Sequence, residues 1–273
     1  MKKAVLGIVA ILSVTVFLIP EASAAMDTET VETSSSVFMF LCTMLVFIMA
    51  PAIALFYGGM LRKQSMTSMM AQCVGVMALV GIIWWAVGYT LAFGDSGNGF
   101  IGSLENAFGG GISYSEGNGS IPMVEFMLFQ GTFAIVTSCI VFGATAERIR
   151  YSAILIFLAV WSVLVYAPMA HMVWGGGFLS AGLSDLGLPV QDFAGGTVVH
   201  ICSGISGVAA AVAIGRRSDH VIKGRSHNVP LMFIGCMLLW LGWFGFNCGS
   251  AGSFSDIAVL AMENTLLASC AST

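Results

Sequence analysis

Few residues of this chain are equipped for chemistry, and the most conspicuous is His200. It stands inside Asp192-Phe-Ala-Gly-Gly-Thr-Val-Val-His200-Ile, the opening of a glycine-studded apolar run that ends at Gly215-Arg216-Arg217. An ionisable group at membrane depth is costly, so a histidine midway along a run long enough to cross a bilayer reads first as functional. Its neutral ring offers one donor and one acceptor and can hand a proton from one to the other. The plainer alternative is a structural histidine satisfied by a neighbouring helix. Asp192, the last polar residue before the run, is placed to accept hydrogen bonds from the free amides of a first helical turn. Its charge would also favour a nearby cation, and the two roles are compatible.

Other chemistries lack their residues. The chain has no HExxH and no CxxC, and His220 and His227 lie in a basic polar loop, so neither a metal site nor a cofactor is expected. An enzyme built on His200 would have no nucleophile beside it, and catalytic residues are expected to be absent. Cys42, Cys73, Cys139, Cys202, Cys236 and Cys270 all lie in apolar runs and read as small buried apolar residues. Glu263, inside the last apolar run, has no specific account. No nucleic-acid partner is expected.

The elements that must position these residues follow from composition. Hydrophobic residues make up 58% of the chain and charged ones 9%, which is too little polar surface to cover a soluble globule. The fold class is therefore all-α, a polytopic transmembrane helical bundle in a lipid bilayer. Met1-Lys2-Lys3 and the apolar stretch to Ile19, followed by Ala22-Ser23-Ala24, have the form of a cleaved signal peptide over residues 1-24. Residues 25-273 then form a single domain. Apolar segments of spanning length fall near 35-57, 68-93, 122-143, 151-168, 195-214 and 229-247, and a seventh begins at 256-273.

The loops check this independently. Arg62-Lys63, then Arg148 and Arg150, then Arg216, Arg217, Lys223 and Arg225 fall in alternate connections, while the connections between carry Asp95, Glu105, Glu116, Asp185 and Asp192. Basic loops stay in the cytoplasm, so the protein is expected in the cell membrane with its mature N-terminus outside. The Gly-, Ser- and Asn-rich stretch from Gly94 to Ser120 reads as a surface loop rather than a second domain.

Within the fifth segment Gly196, His200, Gly204, Gly207 and Ala211 recur every three or four residues and make one stripe down a helix. Small residues in such a stripe let a neighbouring backbone come close. The histidine is therefore expected to face other helices.

The run DFAGGTVVHICSGISGVAAAVAIGRR from Asp192 to Arg217 resembles the signature of the ammonium transporter (Amt/Rh) family. Ala144-Thr-Ala-Glu147-Arg148-Ile-Arg150, Ala170-His-Met-Val-Trp174-Gly-Gly-Gly177 and Gly242-Trp-Phe-Gly-Phe246-Asn-Cys-Gly-Ser250-Ala-Gly are similar to other segments of that family and stand in the same order.

The resemblance implies a set of roles. Phe133, Trp174 and Ser250, with the carbonyl of Ala194, match the outer site that recruits ammonium through aromatic faces and a hydroxyl. Phe133 and Phe246 match a pair of stacked rings that closes the pore. His200 matches the first of two lumen histidines that relay protons, and Asp192 an acid that orders the recruitment mouth. The implied mechanism is recruitment of NH4+, deprotonation near the mouth, passage of NH3 through an apolar lumen and separate proton movement along the histidines. A homotrimer and a PII-type signalling protein are the implied partners. An ammonium sensor is the alternative function.

Family members have eleven spans built from two inverted five-helix repeats. Residues 1-273 are expected to hold the first repeat and the start of the second, and not to conduct alone.

Overall fold

In hydrocarbon a backbone must satisfy its own amides and carbonyls, and an apolar chain without sheet partners does so as helix. The computed structural model describes residues 32–95, 98–114, 117–188, 190–216 and 226–273. The signal peptide expected over residues 1-24, and the basic residues Arg217, Lys223 and Arg225, lie outside the described residues.

Among the described residues six helices are long and apolar enough to cross a membrane: α1 (Thr33–Met60), α2 (Lys63–Phe93), α3 (Met123–Gly143), α4 (Tyr151–Gly182), α5 (Gly196–Ile214) and α6 (Val229–Gly249). A seventh, α7, covers Asp256–Ser272. Extended pairing among the described residues is confined to Gly117–Asn118 against Ile121–Pro122, within the loop after α2. The expected all-α bundle is therefore what the chain forms.

Two boundaries differ from the sequence reading. Helix α2 begins at Lys63, five residues before the apolar run does, because a helix start needs no apolar side chain. Helix α4 continues past Pro168 to Trp174 before it breaks at Gly175 and Gly176. A wide π-type turn over Ser162–Tyr166 precedes the proline. Proline lacks an amide and its ring crowds the preceding turn, so a local change of helical pitch lets the helix go on.

Loop contacts sort the connections into two faces. The start of α1 meets the α2–α3 loop, where Glu32 N–H donates to Ser120 O, and meets the α6–α7 loop, where Phe254 N–H donates to Ser35 Oγ. Phe178, beyond the break in α4, donates its amide to Gly99 O in the α2–α3 loop. On the opposite face the Arg62 guanidinium pairs with Glu147 at 3.0 Å, Arg148 reaches Gly215 O, and His227 N–H donates to Leu61 O. Every described lysine and arginine sits on this second, basic face, as the alternation of loop charges requires.

The closest helix contact is between α1 and α6, which run antiparallel. Gly235, Gly242, Gly245 and Gly249 line one side of α6, and a Cβ on each would fall within 2.8 Å of an atom of another helix. Gly235 lies against the backbone of Ala52 and Phe56, Gly242 against Leu45 and Met49, and Gly245 against Cys42 and Leu45. The stripe that lets two backbones touch is thus on α6. On α5, Gly204 has nothing within 4 Å of its would-be Cβ, and Gly207 meets only Ala144. Cys42, Cys73, Cys139 and Cys202 are buried as expected of small apolar residues, and so is Cys248, whereas Cys236 and Cys270, expected to be buried too, lie on uncovered faces of α6 and α7.

Candidate functional site

Helix α3 carries the largest buried aromatic surface of the bundle. Phe126, Phe129, Gln130 and Phe133 are spaced i, i+3, i+4 and i+7, so they share one face near the acidic end of the helix. Phe129 and Phe133 are almost fully buried, with ring centroids 4.9 Å apart. Trp174, the last regular residue of α4, meets the edge of Phe133 at 5.9 Å. Its indole N–H donates to Asp192 O at 2.8 Å, which fixes the plane of the ring.

These rings wall a cavity of about 300 Å³. Phe129, Gln130, Phe133, Trp174, Asp192 and Ser250 are among its lining residues. Ser250, just beyond α6, donates its hydroxyl to Phe246 O at 2.8 Å. With its proton committed, the serine oxygen has lone pairs to offer a donor in the cavity. Gln130 Oε1 is buried and accepts no hydrogen bond from the described residues. A cavity of aromatic faces and oxygen acceptors, without a basic side chain, suits a small cation that carries N–H donors.

Asp192 organises the entry to α5. Its Oδ1 accepts from the amides of Gly195 and Gly196 at 2.6 and 2.8 Å, and its Oδ2 from Thr197 and Val198 at 2.8 and 2.9 Å. One carboxylate therefore satisfies four amides that the helix start would leave bare, the capping position the sequence implied. Gly195 makes the turn at φ +89°, where a Cβ would strike Val199 at 2.7 Å and approach the Phe246 ring at 3.4 Å. Only glycine combines that backbone angle with that clearance.

Below the cavity the rings continue as a column. Phe133 and Phe246 stack at 4.2 Å with an interplanar angle of 25°. Phe246 is 6.0 Å from the His200 ring, and His200 stacks on Trp243 at 5.8 Å and 12°. Trp174, Phe133, Phe246, His200 and Trp243 thus follow one another from the acidic mouth toward the bundle's middle. His200 sits in a π-type turn over Gly196–Ile201, where its amide donates to Gly195 O five residues back. Such turns often accompany functional positions, and this one sets the rotation of the histidine.

Not every expected residue joins this group. Ala194 does not line the cavity that holds Phe133, Trp174 and Ser250; it lines a neighbouring one of about 650 Å³ with Trp243, Asn247 and α7. The stripe on α5 is also not covered: Gly196, His200 and Gly204 are exposed, and the residues of α5 that pack inward are Val198, Val199, Cys202, Ser203 and Gly207. The His200 ring nevertheless stacks on Trp243 and lies near Phe246, both of α6, so the histidine faces a neighbouring helix as expected, while the glycines on either side of it, Gly196 and Gly204, stay uncovered. Phe129, Gln130 and Trp243 were missed in the sequence, although the i, i+3, i+4, i+7 spacing on α3 could have found the first two. Among the described residues no group of three or more His, Cys, Asp or Glu side chains could hold a metal.

The sequence model of the Ammonium Transporter Family matches residues 37–273. The chain belongs to the ammonium transporter family. It is similar to the ammonium transporter of Bacillus subtilis, with 45% identity over 86% of this chain and 57% of the relative. Among solved structures it resembles Mep2 of Candida albicans, at a TM-score of 0.79 and 35% identity, over 88% of this chain and 53% of Mep2. It also resembles a sensor Amt protein, at a TM-score of 0.78 and 28% identity, over 86% of this chain and 59% of that one. The chain spans about half the length of the relatives it matches. In this ammonium transporter family member the mouth cavity, the stacked rings and the histidine therefore lie within the matched region.

Proposed function

We propose that this protein takes part in moving ammonium across the cell membrane, with the acidic face outside and the basic loops in the cytoplasm. The observation that carries the reading is the column from the Trp174 mouth through the Phe133–Phe246 stack to His200. In this scheme NH4+ rests against Trp174 and Phe133 and donates hydrogen bonds to Ser250 Oγ and to acceptors beside it. Each aromatic face attracts the cation by about 0.5–2 kcal/mol. The stacked rings bar a hydrated Na+ or K+, because shedding water into an apolar gap goes uncompensated. Ammonium can leave a proton behind and cross as NH3, and His200, holding one donor and one acceptor, relays the proton.

Asp192 acts at one remove: its carboxylate shapes the α5 entry and its carbonyl holds the Trp174 ring. Cleavage of the signal peptide, which rests on the sequence pattern of residues 1-24, belongs to the same proposal, as do a homotrimer and contact with a PII-type protein, which rest on the family.

The recruitment step is tested on purified protein by thermal unfolding with added methylammonium, ammonium, Na+ or K+. The first two are expected to raise the midpoint, and Trp174→Leu is expected to weaken the effect about fivefold, the loss of ~1 kcal/mol. Equal shifts with all four cations would sink the reading. The similarity to the sensor Amt protein supports the second reading, an ammonium sensor. Binding without uptake by the intact protein would favour it.

A further inference from the structure

Away from the site, Cys73 of α2 and Cys139 of α3 have no part in the proposed conduction. Both are fully buried, and their Sγ atoms are 3.7 Å apart. Cys73 Sγ also lies 3.2 Å from Ala50 O of α1, as a donor. That assigns the Cys73 proton to α1 and leaves its sulfur lone pairs facing the Cys139 thiol, so a chain of weak hydrogen bonds runs from α3 through α2 to α1. Two cysteines used only as small apolar filler need not present their sulfurs to one another. The two lie 66 residues apart in sequence, on helices joined by the long loop after α2.

We propose that Cys73 and Cys139 are an oxidative modification site, a dithiol sealed among α1, α2 and α3 that a membrane-permeant azo oxidant such as diamide converts to an interhelical disulfide. Both S–H bonds break and one S–S bond forms. The two electrons and two protons pass to the N=N bond of the oxidant, which becomes a hydrazine. The sulfurs must close to about 2.0 Å. Burial makes the site selective, because charged reagents and hydrophilic thiols cannot reach it while the bundle is folded. Cys139 lies six residues beyond Phe133 on α3, so the bond would tie the ring-bearing helix to α2.

The test treats the protein, purified in mild detergent, with diamide, then denatures it without reductant and alkylates every accessible thiol. Of the seven cysteines, two are expected to escape alkylation, and mass spectrometry is expected to join the Cys73 peptide to the Cys139 peptide. In the folded protein a membrane-impermeant phosphine is expected to leave the link intact, and after denaturation to reverse it. Cys73→Ser keeps the hydrogen bond to Ala50 and is expected to leave all six remaining thiols free, with Cys139→Ser behaving likewise. Seven alkylated thiols after oxidation, or a link between any other pair, would overturn the proposal.

Discussion

Helices α5 and α6 both carry glycines at helical spacing, yet only α6 is met along its stripe. Gly235, Gly242, Gly245 and Gly249 all press against α1, Gly249 against Phe129 of α3 as well, at distances a methyl group could not tolerate. In the α5 stripe Gly196 and Gly204 are uncovered, and only the His200 ring and Gly207 meet other helices, at Trp243, Phe246 and Ala144. The sequence signal is similar in the two helices, because a small-residue stripe states only that a backbone could come close. Which element comes is decided by the rest of the fold. In α6 the glycines seal a helix contact, whereas Gly196 and Gly204 of α5 leave clearance on either side of His200.

The sharpest way to break this comparison is to add a methyl group to each stripe. Gly235→Ala places a Cβ 2.4 Å from Phe56 N and 2.7 Å from Ala52 O, both backbone atoms that cannot move alone. The antiparallel pair must then separate along its length, at a cost of about 3 kcal/mol or more. Gly204→Ala meets nothing within 4 Å and is expected to be neutral or slightly stabilising, since alanine favours helix. Thermal unfolding in detergent compares the two, and equal midpoints would show that the α1–α6 contact is not what holds the bundle.

A smaller effect is expected where α5 depends on its cap. With one face uncovered, the first turn relies on Asp192 for four of its amides. Asp192→Ala is expected to cost about 2 kcal/mol locally, read as faster hydrogen exchange at Gly195 to Val198 by roughly 30-fold. Asp192→Asn retains one acceptor oxygen and should fall between. If exchange there is unchanged, packing against Val198 and Val199, not the carboxylate, holds the turn.

How much of this was legible varies with the physics involved. Spans and sidedness follow from apolar length and loop charge, which act locally and leave a direct trace: Arg62, Lys63, Arg148, Arg150 and Arg216 all fall on one face. The Asp192 cap was readable for the same reason, as a carboxylate just ahead of an apolar run. The π-type turns at Trp84–Gly88, Ser162–Tyr166 and Gly196–Ile201 were not, because nothing in residue type distinguishes a five-residue from a four-residue hydrogen-bond step. The inward residues of α5 accordingly include Val198, Val199 and Cys202, with Gly207 the one glycine of the stripe among them. Phe129 and Gln130 were overlooked rather than hidden: with Phe126 and Phe133 they make an i, i+3, i+4, i+7 set, although in a helix apolar nearly all round that set stands out little.

The smallest effect concerns the joint between the closed seam and the open helix. Glu147, held at φ +64°, pairs with Arg62 at the end of α1, and its neighbour Arg148 reaches Gly215 O at the end of α5. Burial alone would raise the Glu147 carboxyl, but hydrogen bonds from Ser65 and from the Arg62 side chain and amide, with the Arg62 charge, hold it below the usual carboxylate range. A depressed folded value means the contribution is complete above the unfolded value, near 4.5, and is lost as pH falls through the folded one. Between pH 7 and 5 stability is therefore expected to be flat with respect to this group, with a decline below about pH 4.5 that Glu147→Gln lessens. At pH 7 the substitution should cost about 1 kcal/mol, since Arg62 is partly exposed and water screens its charge. Hydrogen exchange near Gly215 tells whether the joint matters for α5. Loosening there in Glu147→Gln would show that the basic loops couple the two regions, whereas an effect confined to the Arg62 loop would make the open helix independent of the seam.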